Sequence, residues 1–122
     1  MALRSFRLLP AETLAAPDLL EHLGRQGITE REGRFLYRFD PQCNGSRRPV
    51  DGWALLPQIK APTLLVRGEL SPIMPREMAE RMEADIPNAR LVTMPGVYHH
   101  LVLDAPGDFS RILDAFLAEL PG

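Results

Sequence analysis

Pro62-Thr-Leu-Leu-Val-Arg67 is the run on which the fold turns. It is short, apolar and rich in strand-forming residues, and it closes on Gly68 and the Pro-punctuated loop Glu69-Leu-Ser-Pro-Ile-Met-Pro75. A buried strand leading into a loop follows from that pattern. Pro75 suits the first turn of a helix, and Glu77 stands near the positive end of its dipole. Met78, Ala79, Met82 and Ile86 then fall on one helical face, and Pro87-Asn88 stops the helix. Arg90-Leu-Val-Thr-Met94 reads as a second strand. A strand-helix-strand unit of this length implies parallel pairing through a right-handed crossover. Its two loops, Gly68 to Met74 and Pro95 to Asp104, then emerge side by side, where open α/β sheets hold ligands.

Working outward, Pro106 opens a final helix with Asp108 in its first turn. Phe109, Ile112, Leu113, Phe116, Leu117 and Leu120 share one face of it, a face that requires a partner surface. Two strands make a small sheet to cover that face, and the apolar strand edge invites pairing, so a homodimer completing the sheet across a two-fold axis is expected. Upstream, Asp51 is placed to cap a helix over Gly52-Trp-Ala-Leu-Leu-Pro57, setting Trp53 and Leu56 against the strand that follows. Pro17 to Gly24 reads as a helix carrying a surface His22. Ile28 to Gly33 reads as a charged link, and Arg34 to Phe39 as an extended segment whose Phe35, Tyr37 and Phe39 share one side for core or interface packing. Met1 to Pro10, which alternates basic and apolar residues, is a frayed or partner-bound lead-in.

Several of these stretches together carry a resemblance. Ala61-Pro-Thr-Leu-Leu-Val-Arg-Gly-Glu69, then Pro75 to Met82, Pro87-Asn-Ala-Arg-Leu-Val92 and Pro95-Gly-Val-Tyr-His-His-Leu-Val-Leu-Asp-Ala-Pro106, resemble in this order the C-terminal portion of an α/β-hydrolase. The likeness is close over the last half of the chain and looser over the first. It implies an α/β fold with a small parallel β-α-β core in residues 59–122, and a lid remnant with connecting helices in residues 1–58. It further implies a general base at His99, seven residues before Pro106, and a triad acid in the loop after the penultimate strand. That loop departs from the family, since Ser71 or Pro72 stands where the acid is expected. No Gly-x-Ser-x-Gly nucleophile turn occurs in the sequence.

Three functional readings follow. In the first, a serine-hydrolase-like site for a small-molecule ester uses His99 as base, Glu69 as the carboxylate that fixes its tautomer, and Ser71 as the only hydroxyl in the neighbouring loop. In the second, His99, His100 and Asp104, with Glu69 as a further carboxylate beside them, hold a divalent ion, zinc or manganese, that makes hydroxide for ester or phosphodiester hydrolysis in a homodimer. Asp104 has an alternative role there as the cap of the last helix. The third is a non-catalytic split half or interaction module whose partner is a missing N-terminal hydrolase half.

Bulk properties narrow the classes. The 122 residues fit one small domain, and 45% hydrophobic with 25% charged residues is ordinary for a globular chain. A formal net charge of -2 with scattered Lys and Arg gives no footprint for nucleic acid or an anionic membrane. The single Cys43 excludes an intramolecular disulfide and fits a reducing cytoplasm, and no apolar run has the length of a membrane span.

Overall fold

The computed structural model describes residues 6–45 and 47–121. Residues 1–5 of the expected lead-in lie outside them. The chain forms two compact units, one containing Ala15–Val50 and the other Glu12–Leu14 with the residues from Asp51 onward.

In the first unit, α1 spans Pro17–Gly27, with Pro at its start, Asp18 in its first turn and Arg25 in its last. The helix runs past Gly24, which is buried within it, and passes directly into β1, Ile28–Arg31. β1 pairs antiparallel with β2, Arg34–Tyr37, so the stretch expected to be a charged link is one arm of a hairpin. Its turn is Glu32-Gly33, both with positive φ, 52° and 72°. That is the backbone a two-residue hairpin demands, and glycine adopts it without steric penalty. The charges at Glu30 and Arg31 hide the strand in the sequence because this hairpin has no buried face to impose alternation. For the same reason Phe35, Tyr37 and Phe39 are exposed rather than in a core, with the Tyr37 and Phe39 rings stacked at 5.2 Å.

In the second unit, β3 (Thr63–Gly68), α2 (Arg76–Asp85) and β4 (Ala89–Met94) form the expected β-α-β element. β3 and β4 are parallel, with Thr63 opposite Ala89 and Gly68 opposite Met94. Among the described residues the buried apolar side chains are Ala79 and Ile86 from α2 and its end, Met94 at the end of β4, and Val97 just beyond it. Met78 is exposed, since it sits one helical step from Ala79 and at the margin of the buried face. The Asp51 carboxylate accepts the Trp53 N–H at 3.1 Å and starts a tight 3-10 helix, Trp53–Gln58, with Pro57 inside it. Trp53 lies under the Arg81 guanidinium of α2, 4.1 Å from the ring centroid.

A short helix, α3 (Leu101–Asp104), leads into α4, Pro106–Ala118. α4 has the expected position and spacing, yet its apolar face is half-covered. Phe109, Ile112 and Phe116 are partly buried, and Leu113 and Leu117 are exposed. Arg90 of β4 ties this helix end down, 2.8 Å from Glu119 and over the Phe116 ring. The architecture is α/β, a parallel sheet with flanking helices, and no helix among the described residues is long and apolar enough to cross a membrane.

Candidate active site

Parallel strands whose ends are in register carry their following loops to the same side, and here the backbone keeps pairing beyond the strands. The Glu69 N–H donates to the Met94 carbonyl and the Leu70 N–H to the Val97 carbonyl, each at 2.9 Å. Gly68 permits this approach, because a Cβ built on it would lie 1.9 Å from the Tyr98 carbonyl oxygen and 2.4 Å from that of Val97. The second loop turns at Gly96, whose φ is 66°. The Glu69 carboxylate accepts the Gly96 N–H at 2.7 Å and so binds one loop to the other.

Arg67 is buried at the end of β3 and holds the Ser71 loop from beneath. Its guanidinium donates to the Met74 carbonyl at 3.2 Å, to the Glu69 carbonyl at 3.1 Å and to the Thr93 hydroxyl at 3.4 Å. The two carbonyls bracket Ser71, so one rigid side chain fixes both ends of the segment that carries it. Three donors directed at neutral acceptors satisfy a charge that would otherwise be costly to bury.

These contacts place the Ser71 hydroxyl oxygen 2.9 Å from His99 Nδ1. The same oxygen accepts the Met74 N–H at 3.1 Å and the Ile73 N–H at 3.3 Å. Both side chains are half-buried. Bonding through Nδ1 leaves Nε2, across the ring, as the nitrogen open to another group. Sequence reasoning expected a carboxylate, that of Glu69, to fix the imidazole's tautomer. The Glu69 carboxylate is instead engaged by Gly96, and the atom hydrogen-bonded to the imidazole belongs to Ser71.

Asp104 has a different place from either of its expected roles. One carboxylate oxygen accepts the Thr13 hydroxyl and the Leu14 N–H, the latter at 2.9 Å, and the other accepts the Tyr98 N–H at 3.1 Å. It makes no cap bond to α4, whose N-cap is Ala105. It works as a clamp on the His99 loop, tying the residue before His99 to the segment at Thr13. His100 follows with its ring edge-on to that of His99, centroids 5.8 Å apart, and its carbonyl accepts the Leu103 and Asp104 N–H groups. The set His99, His100 and Asp104 is not drawn together as ligands. Among the described residues no group of three or more His, Cys, Asp or Glu side chains is arranged to hold a metal ion. The Asp104 carboxylate of that set is engaged by the Thr13 hydroxyl and the Leu14 and Tyr98 N–H groups.

Sequence reasoning missed Arg67 and Thr13. An arginine inside an apolar strand was a signal that something beyond the strand needed its donors. Thr13 carried none, since it meets Asp104 across 91 positions.

A description of the alpha/beta hydrolase fold matches residues 16–106. Serine hydrolase BPHL of Mus musculus is 38% identical over 63 residues, which are 52% of this chain and 22% of that protein. The chain thus spans about a fifth of the length of the curated relatives it matches. A thermophilic esterase from Thermogutta terrifontis superposes with a TM-score of 0.54 and 29% identity, covering 57% of this chain and 25% of that one. The E-2-(acetamidomethylene)succinate hydrolase fold extends over 85% of this chain and 40% of its own, with a TM-score of 0.72 at 18% identity. The match of sequence over most of the chain and of backbone over nearly all of it have one meaning: this chain belongs to the alpha/beta hydrolase fold family.

Proposed function

We propose that His99 is the proton-transferring imidazole of an esterase-like serine hydrolase site, and that Ser71 stands beside its Nδ1 where the family carries an acid. The observation that carries this reading is the 2.9 Å contact between Ser71 Oγ and His99 Nδ1, made between the two loops that leave the parallel strands. The loops are cross-braced by Arg67, Glu69 and Asp104, the rigid support a positioned base needs. The nucleophilic serine, on a Gly-x-Ser-x-Gly turn absent from these 122 residues, comes from polypeptide outside them. Residues 1–58 are assigned as a lid remnant with connecting helices. The names of a serine hydrolase and an esterase among the similar proteins support a small acyl ester as substrate.

Co-expression with a hydrolase N-terminal half bearing that turn, followed by p-nitrophenyl acetate turnover, tests the reading. His99→Ala is expected to lower turnover by about 10²-fold or more, the size of a general-base contribution. Equal turnover by the parent and the variant would sink it.

The same contact favours one other reading, in which Ser71 itself is the nucleophile and His99 Nδ1 accepts its proton. Its oxygen already accepts two backbone N–H groups, and the electron pair left by the departing proton faces the imidazole, so attack on a carbonyl requires the oxygen to turn away from His99 or give up one of those bonds. A fluorophosphonate adduct located on Ser71 by mass spectrometry would make this the better reading, and an unlabelled Ser71 would remove it.

A further inference from the structure

A serine hydroxyl has one hydrogen to donate and two lone pairs with which to accept. Around Ser71 Oγ there are three partners: the Ile73 N–H, the Met74 N–H and His99 Nδ1. The two backbone N–H groups can only donate. They take both lone pairs, so the remaining contact is made by the hydroxyl's own hydrogen pointing at Nδ1. A nitrogen that accepts a hydrogen bond bears no proton, and in a neutral imidazole the proton is then on the other nitrogen.

From this count we infer that Ser71 is a positioning residue that holds neutral His99 in its Nε2–H form, so that the open side of the resting imidazole offers a donor rather than a base. The inference deepens the reading of His99 as a site imidazole and rests on that reading for its consequence. An acyl oxygen, of an ester or of the carboxylate product, is the kind of acceptor this nitrogen would hold. To take a proton from a nucleophile at Nε2, the ring must first lose that proton to solvent and gain one at Nδ1. The hydroxyl must then turn to accept from Nδ1–H and release a backbone N–H. A carboxylate at position 71 has no proton to give and accepts only, which reverses the tautomer. When an amide replaces the acid of a serine-protease triad, the wrong tautomer lowers turnover by about 10⁴-fold. Restoring the acid at position 71 should move turnover upward within that span.

The test is a long-range ¹H–¹⁵N correlation spectrum of the full labelled chain at a pH where its imidazoles are neutral. Exposed His22 on α1 serves as the internal reference for a ring free to average between tautomers. His99 is expected to show a fully pyridine-type Nδ1 and pyrrole-type Nε2, beyond the average of His22. Ser71→Thr, which keeps the hydroxyl, should retain that pattern, Ser71→Ala should bring it to that of His22, and Ser71→Asp should invert it. A parent His99 that averages as His22 does, or that is protonated at Nδ1, overturns the inference without any variant having to fold. The spectrum does not depend on turnover, so the failure of the hydrolase reading and the failure of the tautomer assignment are seen in different experiments.

Discussion

Gly68 and Tyr98 are in backbone contact so close that no side chain fits between them: a Cβ on Gly68 would lie 1.9 Å from the Tyr98 carbonyl oxygen. Neither partner is the tip of a flexible side chain, so relief requires the strand end and the His loop to separate. Gly68→Ala is therefore expected to destabilise the chain by about 1–3 kcal/mol, the usual range for overpacking, or more. Urea unfolding would show this as a lower midpoint, and the His99 signals should lose the tautomer pattern set by Ser71. A variant with the parent midpoint and the parent spectrum would mean that the two loops are not in contact.

Glu69 braces the loops without touching the imidazole. Its carboxylate accepts the Gly96 N–H at 2.7 Å at the turn of the second loop. Glu69→Ala should lower stability by about 1 kcal/mol, the typical net worth of one hydrogen bond. It should leave the tautomer of His99 as it is. A change in the His99 nitrogen shifts comparable to that of Ser71→Ala would show that the Glu69 carboxylate, rather than the Ser71 hydroxyl, sets the proton's position.

The β-α-β core, its parallel sense and the adjacency of the two loops were legible in the sequence because each rests on local rules. A short apolar run, a Pro-started helix and a crossover leave little choice of pairing. The placing of His99 and Ser71 in the two neighbouring loops was legible, with His99 singled out by the family resemblance, but their direct bond was not. It depends on Arg67 drawing in the carbonyls of Glu69 and Met74, and on Gly68 letting Tyr98 approach. Those are through-space relations that no periodicity records. Glu69 was expected at His99 because it is the nearest carboxylate in sequence, yet the Gly96 amide engages it at the turn of the other loop. The hairpin at Ile28–Tyr37 was missed for the opposite reason: with no face to bury, it shows no alternation, and only Glu32-Gly33 marks it.

Asp104 separates charge from geometry. Both of its carboxylate oxygens accept, from Thr13 and Leu14 on one side and Tyr98 on the other. An asparagine of the same shape has one acceptor and one donor group. In either orientation its NH₂ faces a backbone N–H, and one donor is left unmatched. Asp104→Asn is thus expected to lose about 1 kcal/mol, nearly as much as Asp104→Ala, because the hydrogen bond is lost and a donor is left unmatched at an exposed or part-buried position. Chemical denaturation of both variants checks this. An asparagine variant as stable as the parent would mean that the carboxylate accepts on one side only.

Hydrophobic spacing put Ile86 and Leu117 alike on faces to be buried, and the fold treats them differently. Ile86, at the end of α2, is 3% exposed, whereas Leu117 on α4 is 52% exposed. The transfer and cavity terms of a large-to-small change act only on a side chain that is enclosed, so the same sequence signal carries two energies. Ile86→Ala is expected to lose about 2–5 kcal/mol. Leu117→Ser, at an open position of a helix, should stay within about 0.5 kcal/mol apart from a small propensity term. Urea midpoints for the two variants measured at low protein concentration decide the matter. A Leu117→Ser loss as large as that of Ile86→Ala would show that the outer face of α4 is enclosed in solution by other polypeptide, and that its helical stripe was reporting a buried surface after all.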